Sequence, residues 1–207
     1  MKTNFIAKTG WSLLIVLAIV FAIFQFIWGF SWLLWCIFIF FIYLFRTKKI
    51  DYIADPNTII APIEGKIKCI KTSSYKELGE CIEVQIINNI FSQGNIIAPL
   101  DMNIEETRIR HGLFLCPFIK NTNLMGERML FLANSKSKQW ALRVIFGALN
   151  RKAHIDDFGH HLSHGQNIGF MFDGSVSLLL PKDTRICVNE NDKVRIGTLI
   201  GYLNHEF

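Results

Sequence analysis

Between Trp11 and Phe45 the chain carries no Asp, Glu, Lys or Arg. As one straight helix this stretch would reach ~50 Å, against a hydrocarbon core of ~30 Å. It is too long and too apolar for the core of a signal peptide, and no small-x-small cleavage site follows it. Either one helix tilts heavily or the chain turns back. Trp28-Gly29-Phe30-Ser31-Trp32 sits at the midpoint and supplies a turn-permissive Gly, a Ser and tryptophans suited to an interface. Lys2 and Lys8 precede the segment, and Arg46, Lys48 and Lys49 follow it. Positive charge on both flanks places both on the cytoplasmic side. The expected arrangement is membrane-anchored: an N-terminal transmembrane hairpin within residues 1–50, then a domain over residues 51–207. A single tilted span, with the domain on the far side, is the alternative.

The remainder has ordinary globular composition and room for one domain. Asp55-Pro56-Asn57 breaks the chain and starts it. Gly65-Lys66-Ile67-Lys68-Cys69-Ile70 and Cys81-Ile82-Glu83-Val84-Gln85-Ile86 alternate with period two, and Arg128 to Leu132 and Trp140 to Phe146 are further strand candidates. Ser135-Lys136-Ser137-Lys138 suits a hairpin loop. No stretch after residue 50 holds a long helical period, so the domain is expected to be mainly β. One internal echo stands out. The run from Gly159 to Gly169 lines up without gaps on Asn191 to Gly201, with Leu162 on Val194, Gly165 on Gly197 and Ile168 on Ile200. Such turns need Gly where φ is positive. The pattern resembles the half-motifs of biotinyl/lipoyl-like barrel-sandwich folds, although two unrelated β-turns would give the same match.

Several chemistries find no support. The five cysteines are scattered, without a C-x-x-C pair, and read as reduced structural thiols. His160, His161 and His164, with His154 upstream, fall in a turn between strands and lack the helical spacing of zinc enzymes, so surface histidines are the expectation and no metal is assigned. There is no phosphate loop, nucleophile elbow or dinucleotide signature. The net charge of +5 is modest. Lys66, Lys68, Lys71 and Lys76 suit either an anionic lipid surface or a solvated strand face. They lack interleaved aromatics, and no nucleic-acid partner is expected.

Near the C-terminus, Gly174-Ser175 stands at the mouth of an apolar strand that runs to Leu180-Pro181. Taken in order, the surrounding pieces resemble the short, membrane-anchored branch of the phosphatidylserine decarboxylase family. Leu44-Phe45-Arg46 is similar to that family's apolar-Phe-Arg boundary. Ile60 to Ile67 resembles its Ser-Pro-Ala-Asp-Gly-x-Val, and Ile90-Phe91-Ser92 to Ala98-Pro99 its Asp-Val-His-x-Asn-Arg-x-Pro segment. Lys120 through Gly126-Glu127-Arg128, Gly147 with Arg151, and Gly159…Gly165…Ile168-Gly169 resemble later family motifs. Gly174-Ser175 is similar to its processing site.

The resemblance implies a self-cleaving bond. The Ser175 hydroxyl attacks the Gly174 carbonyl, which needs little bulk beside it, and the new N-terminus becomes a pyruvoyl group. That ketone takes the substrate amine and draws electrons as the carboxylate leaves. It implies a pyruvoyl cofactor derived from Ser175, Gly174 as the new C-terminus, and Glu64 as part of the processing base. It also implies a phospholipid membrane and an aminophospholipid substrate as partners, and a place at the cell inner membrane with the domain facing the cytoplasm. A homo-oligomer, or a heterodimer of the cleaved chains, fits the same scheme. Three positions depart from the pattern. Glu64 stands for the family Asp. Gly94 stands where the family has His, with Ser92 at its Asp. The strand from Gly174 to Pro181 is one residue short, and such a change flips later side chains to the other face. His111, His160, His161 or His164 would then have to substitute in space. Two competing readings follow: a catalytically inactive relative that binds lipid or protein, and a biotinyl/lipoyl-type carrier. The second lacks a modification lysine at the expected turn.

Overall fold

The computed structural model describes residues 8–29, 32–46, 55, 57–116, 125–135, 138–150, 154–155 and 159–203. Pro56, Lys120, the pair 136–137 and Arg151, all used in the sequence reading, lie outside the described residues, as does the side chain of His154. The chain divides into two units, Met1–Lys49 and Ile50–Phe207.

The first unit holds two helices, α1 (Lys8–Trp28) and α2 (Trp32–Leu44). Gly29 ends α1 with φ 75°, and its N–H donates to Gln25 O at 3.0 Å. That is the left-handed cap a glycine provides without a Cβ penalty. The helices pack through Phe21, whose ring meets Trp35 edge-on at 5.1 Å and stacks on Phe38 at 5.7 Å. Among the described residues no helix is long and apolar enough to cross a membrane. The 13 residues of α2 reach about 20 Å, short of a ~30 Å hydrocarbon core. In α1 the uninterrupted apolar run lies between Ser12 and Gln25, about 18 Å of helix. The expected transmembrane hairpin is therefore overturned, and the break at Gly29 removes the single tilted span.

The second unit is mainly β among the described residues, as its alternating patterns predict. Its principal sheet has eight strands: β2 (Gly65–Tyr75), β3 (Gly79–Asn88), β5 (Met102–Arg110), β6 (Arg128–Ser135), β7 (Lys138–Phe146), β9 (His161–Leu162), β11 (Gly174–Pro181) and β13 (Lys193–Val194). Their order is β13-β2-β3-β11-β7-β6-β5-β9. The apolar strand β11 thus lies deep in the sheet, antiparallel to β3 and β7. Its sequence is nearly continuous in apolar residues because both faces are covered. Val176, Leu178 and Leu180 join the main core with Val84, Ile86, Leu142 and Val144. Leu179 packs on the other face with Cys81, Leu130, Leu132 and Ala141.

Two three-stranded sheets complete the unit. One is β1 (Thr58–Ile60), β14 (Leu199–Tyr202) and β12 (Arg185–Ile186); the other is β4 (Asn95–Ile97), β10 (Asn167–Phe170) and β8 (His154–Ile155). They are built alike, and the internal echo is the reason. Gly165 and Gly197 both adopt positive φ, 73° and 83°. Gly165 N–H donates to Ala98 O at 2.9 Å, and Gly197 N–H to Ala61 O at 3.0 Å. The echo extends to the strands it pairs with: Ile59-Ile60-Ala61-Pro62 matches Ile96-Ile97-Ala98-Pro99. These two runs clasp each other reciprocally, Ile60 N–H to Pro99 O at 3.0 Å and Ile97 N–H to Pro62 O at 2.9 Å.

Candidate active site

Gly174 opens β11 opposite the last residues of both neighbours, Asn88 of β3 and Phe146 of β7. Its φ is 149°, outside the range that side-chain-bearing residues favour. A Cβ there would lie 2.3 Å from Ile145 O and 3.1 Å from Met171 Sδ. Only glycine lets β7 approach, so the peptide before Ser175 stays free of side-chain bulk.

Ser175 is buried. Residues directly opposite in an antiparallel pair share a face. Ser175 therefore stands with Ile87 and Ile145, and Ser177 with Gln85 and Arg143, on the face opposite the main core. That face carries a buried polar network. Gln85 Nε2 donates to Ser175 Oγ at 3.2 Å. Arg143 Nη2 donates to Ser177 Oγ at 3.3 Å and to the Glu83 carboxylate. Lys71 Nζ lies 3.6 Å from the other Glu83 oxygen. Glu83 is only 2% exposed, and a carboxylate so buried needs such partners to remain charged.

The segment before Gly174 is pinned from β7's exit. Asp173 accepts bonds from Leu149 N–H at 3.0 Å and Asn150 Nδ2 at 2.9 Å. Phe172 N–H donates to Asn150 Oδ1 at 2.9 Å. Burial pushes the Asp173 carboxyl above the usual carboxylate range, against the opposing backbone bonds from Leu149 and Ala148. Gly147 is required here: a Cβ would sit 2.3 Å from Asp173 Oδ2.

On the other side Asn88 ties the motifs together. It is fully buried, and its Nδ2 donates to Glu64 O at 2.8 Å and Gln93 O at 3.0 Å. Its Oδ1, and both side-chain polar atoms of Gln93, are buried without a partner. The carbonyls of Glu64 and Gln93 thus converge on the side chain of Asn88, whose backbone pairs with Gly174. Ser175 Oγ accepts its hydrogen bond from Gln85. Gly94 has no room for the family His: a Cβ would lie 2.3 Å from Met171 O and 2.8 Å from the Phe170 ring.

His111, His160, His161 and His164 do not stand beside Ser175. His161 pairs with Asn103 at the far end of β5 from Ser175, and the neighbouring His164 donates its backbone N–H to Asp101 at 2.6 Å. His160 is exposed beside them. His111 contacts Glu127 at 3.2 Å with its side chain 88% exposed. It follows Arg110, which is three strands from Ser175, about 14 Å along the sheet. Among the described residues no group of His, Cys, Asp or Glu is placed to hold a metal ion.

Sequence reasoning missed Gln85, Asn88, Asp173, Asn150 and Arg143. Gln85 and Glu83 look like the solvent-facing half of an alternating strand, and only the covering of the second face shows them buried.

This arrangement offers a buried hydroxyl, fixed by Gln85, on the residue after an unencumbered glycine, with buried amides on both sides. Comparison with known proteins points the same way. The profile of the phosphatidylserine decarboxylase family matches residues 37–202. Phosphatidylserine decarboxylase proenzymes from Burkholderia vietnamiensis and Burkholderia cenocepacia are each 27% identical over 202 residues, spanning 94% of this chain and 94% of theirs. The proenzyme from Burkholderia multivorans is 26% identical over the same length. No solved structure matches. The matched span begins inside α2 and runs through β14, taking in every residue of the polar network around Ser175: the chain belongs to the phosphatidylserine decarboxylase family.

Proposed function

We propose that this chain is a proenzyme that cuts itself between Gly174 and Ser175 and decarboxylates phosphatidylserine to phosphatidylethanolamine. The observation that carries the reading is Gly174-Ser175 itself: a glycine admitting no side chain, followed by a buried hydroxyl fixed by Gln85, inside the family's matched span.

In the cut, Ser175 Oγ adds to the Gly174 carbonyl carbon, the amide C–N bond breaks and an ester forms. Loss of the Ser175 Cα proton then expels Gly174 as a carboxylate. Water hydrolyses the remaining enamine, releasing ammonia and leaving a ketone on residue 175. The bond that Gln85 donates to Ser175 Oγ orients the lone pairs and leaves the hydroxyl proton free to depart. Glu64 is our candidate acceptor. Its backbone reaches Gly174 through Asn88, and its side chain, partly exposed, can rotate toward the bond. The resulting ketone supplies an electron sink for the substrate's α-carboxylate. Arg143 and Lys71 keep the face beside residue 175 cationic, which suits an acidic substrate. After the cut, β11 to β14 belong to the smaller chain, yet they remain paired with β1, β2, β3 and β7. The product therefore stays together as a heterodimer of its own halves.

Intact mass under denaturing conditions tests this. The wild-type chain should give two masses split between Gly174 and Ser175, and Ser175→Ala should give one. Wild-type protein recovered uncut, with no phosphatidylethanolamine formed from phosphatidylserine, refutes it.

A further inference from the structure

One row of residues crosses the principal sheet through Ser175. Starting from Ser175 it passes through Ile145 to Arg128 and Arg110 on one side. On the other it passes through Ile87 to Lys66 and Lys193. Residues in such a row share a face, so four cations stand on the face and at the end of the sheet where Ser175 lies. Arg110 and Arg128 are directly opposite each other, and like charges so placed repel. Burial holds the Arg128 guanidinium below its usual range, and Arg110 and Arg143 add to the effect. Glu127, beside Arg128 in sequence, is engaged by Gly112 N–H at 2.8 Å and by His111.

The same end carries the apolar exposure of this unit. Phe91 (62% exposed) follows the exit of β3, and Leu149 (53%) follows the exit of β7, so they flank the entry to β11. Leu113 (60%) and Met125 (62%) lie past the end of β5 and before β6, joined by a Leu113 N–H to Met125 O bond of 2.9 Å. Ile109 is exposed one residue before Arg110. Among the described residues of this unit, Tyr202 is the one large exposed apolar side chain elsewhere. Apolar tips gathered on one edge and backed by a line of cations are the composition of a surface that meets a lipid interface.

We infer that this end of the sheet docks on an anionic phospholipid bilayer, with Phe91, Leu113, Met125 and Leu149 entering the headgroup boundary and Lys66, Arg110 and Arg128 taking lipid phosphates. The choice of bilayer over a protein partner rests on the decarboxylase reading, since the substrate is then itself a phospholipid. Docking in this orientation brings residue 175 to the interface without drawing the lipid out of it. The contact is made by strand ends and loops.

Hydrogen exchange on the full chain locates the contact. With vesicles of phosphatidylglycerol, exchange should slow at residues 89–92, 109–114 and 147–150, and stay unchanged at the Pro181–Thr184 turn, which follows the end of β11 away from Ser175. Vesicles of phosphatidylcholine should protect these loops far less. Arg110→Ser should weaken partitioning onto phosphatidylglycerol about fivefold, the equivalent of about 1 kcal/mol per cation. Leu113→Asp with Leu149→Asp, both exposed and checked by thermal unfolding, should remove the protection. Vesicle-bound protein with these loops unprotected, or equal protection by both lipids, overturns the inference. Phosphatidylglycerol has no carboxylate to lose, so the two readings fail separately. An uncut chain that shows the protection loses only the enzymatic reading, and a cut, active chain without it loses only the docking face.

Discussion

Restoring the family histidine at Gly94 should damage the protein rather than repair it. In this backbone a Cβ at residue 94 lies 2.3 Å from Met171 O. Ordinary contact begins near 3.4 Å, so the two chains must part by about 1 Å. They are held together there by the Met171 N–H to Gly94 O bond of 2.9 Å and by the Asn95–Phe170 pairing of β4 and β10. Parting them sacrifices a buried hydrogen bond, about 1 kcal/mol, and overpacks the site against the Phe170 ring for a further ~1–3 kcal/mol. For a domain of this size each kcal/mol lowers Tm by about 2–4 °C. Gly94→Ala should thus melt roughly 5–15 °C below the parent, and Gly94→His at least as low, in a calorimetric scan of the full chain. Neither should speed the cut between Gly174 and Ser175. A Gly94→His protein that melts with the parent, or that is cleaved faster, would show that β4 and β10 yield readily and that the chemistry still wants an imidazole at that place.

Two further outcomes follow from the same contacts. Asp173 has a raised pKa in the fold, so its stabilising contribution is complete below the unfolded value and is lost as pH rises through the folded one. Asp173→Asn keeps an acceptor for Leu149 and Asn150 and should gain on the parent as pH goes from 4 to 7; thermal unfolding at the two values reads this, and a constant difference refutes it. Gly165→Ala and Gly197→Ala should each cost about 1–2 kcal/mol because both residues hold positive φ. Urea unfolding should place the two midpoints close together, and a large gap would mean the two echoed turns are not equivalent.

Much of this architecture is legible in the residues. Alternation at Gly65–Ile70 and Cys81–Ile86 marks β2 and β3 because one face of each must pack on the core. The turns at Gly165 and Gly197 are legible because glycine takes their positive φ without a Cβ penalty. The strands those turns pair with announce themselves as well, since Ile59-Ile60-Ala61-Pro62 and Ile96-Ile97-Ala98-Pro99 are near copies, and the prolines supply the carbonyls of the reciprocal clasp. The apolar run from Trp11 to Phe45 misleads for a physical reason. The turn at Gly29 is legible, but counting charges does not register that Ser12 and Gln25 bound the apolar stretch of α1, or that the 13 residues of α2 are too few to span. The polar network at Ser175 is illegible from sequence because burial of Glu83, Gln85 and Arg143 depends on strands far away in the chain that cover the second face.

The parity of Ser175 along β11 decides which side of the sheet the hydroxyl occupies. A shift of one residue exchanges the two faces. Had Ser175 moved to the parity of Val176, it would lie in the main core among Val84, Ile86 and Val144, with no donor to fix it and no cation nearby. It keeps instead the parity of Ser177 and Leu179, where Gln85 reaches it and where the line from Lys66 to Arg110 passes. At its other end β11 runs out at Pro181, which is only partly buried. Gly174 has the same logic from the other side: its missing Cβ lets Ile145 O approach and holds the register of β7 against β11. The register of β11 against β3 and β7 thus decides where the hydroxyl points, and at residue 94 the backbone of Met171 fills the space a side chain would need.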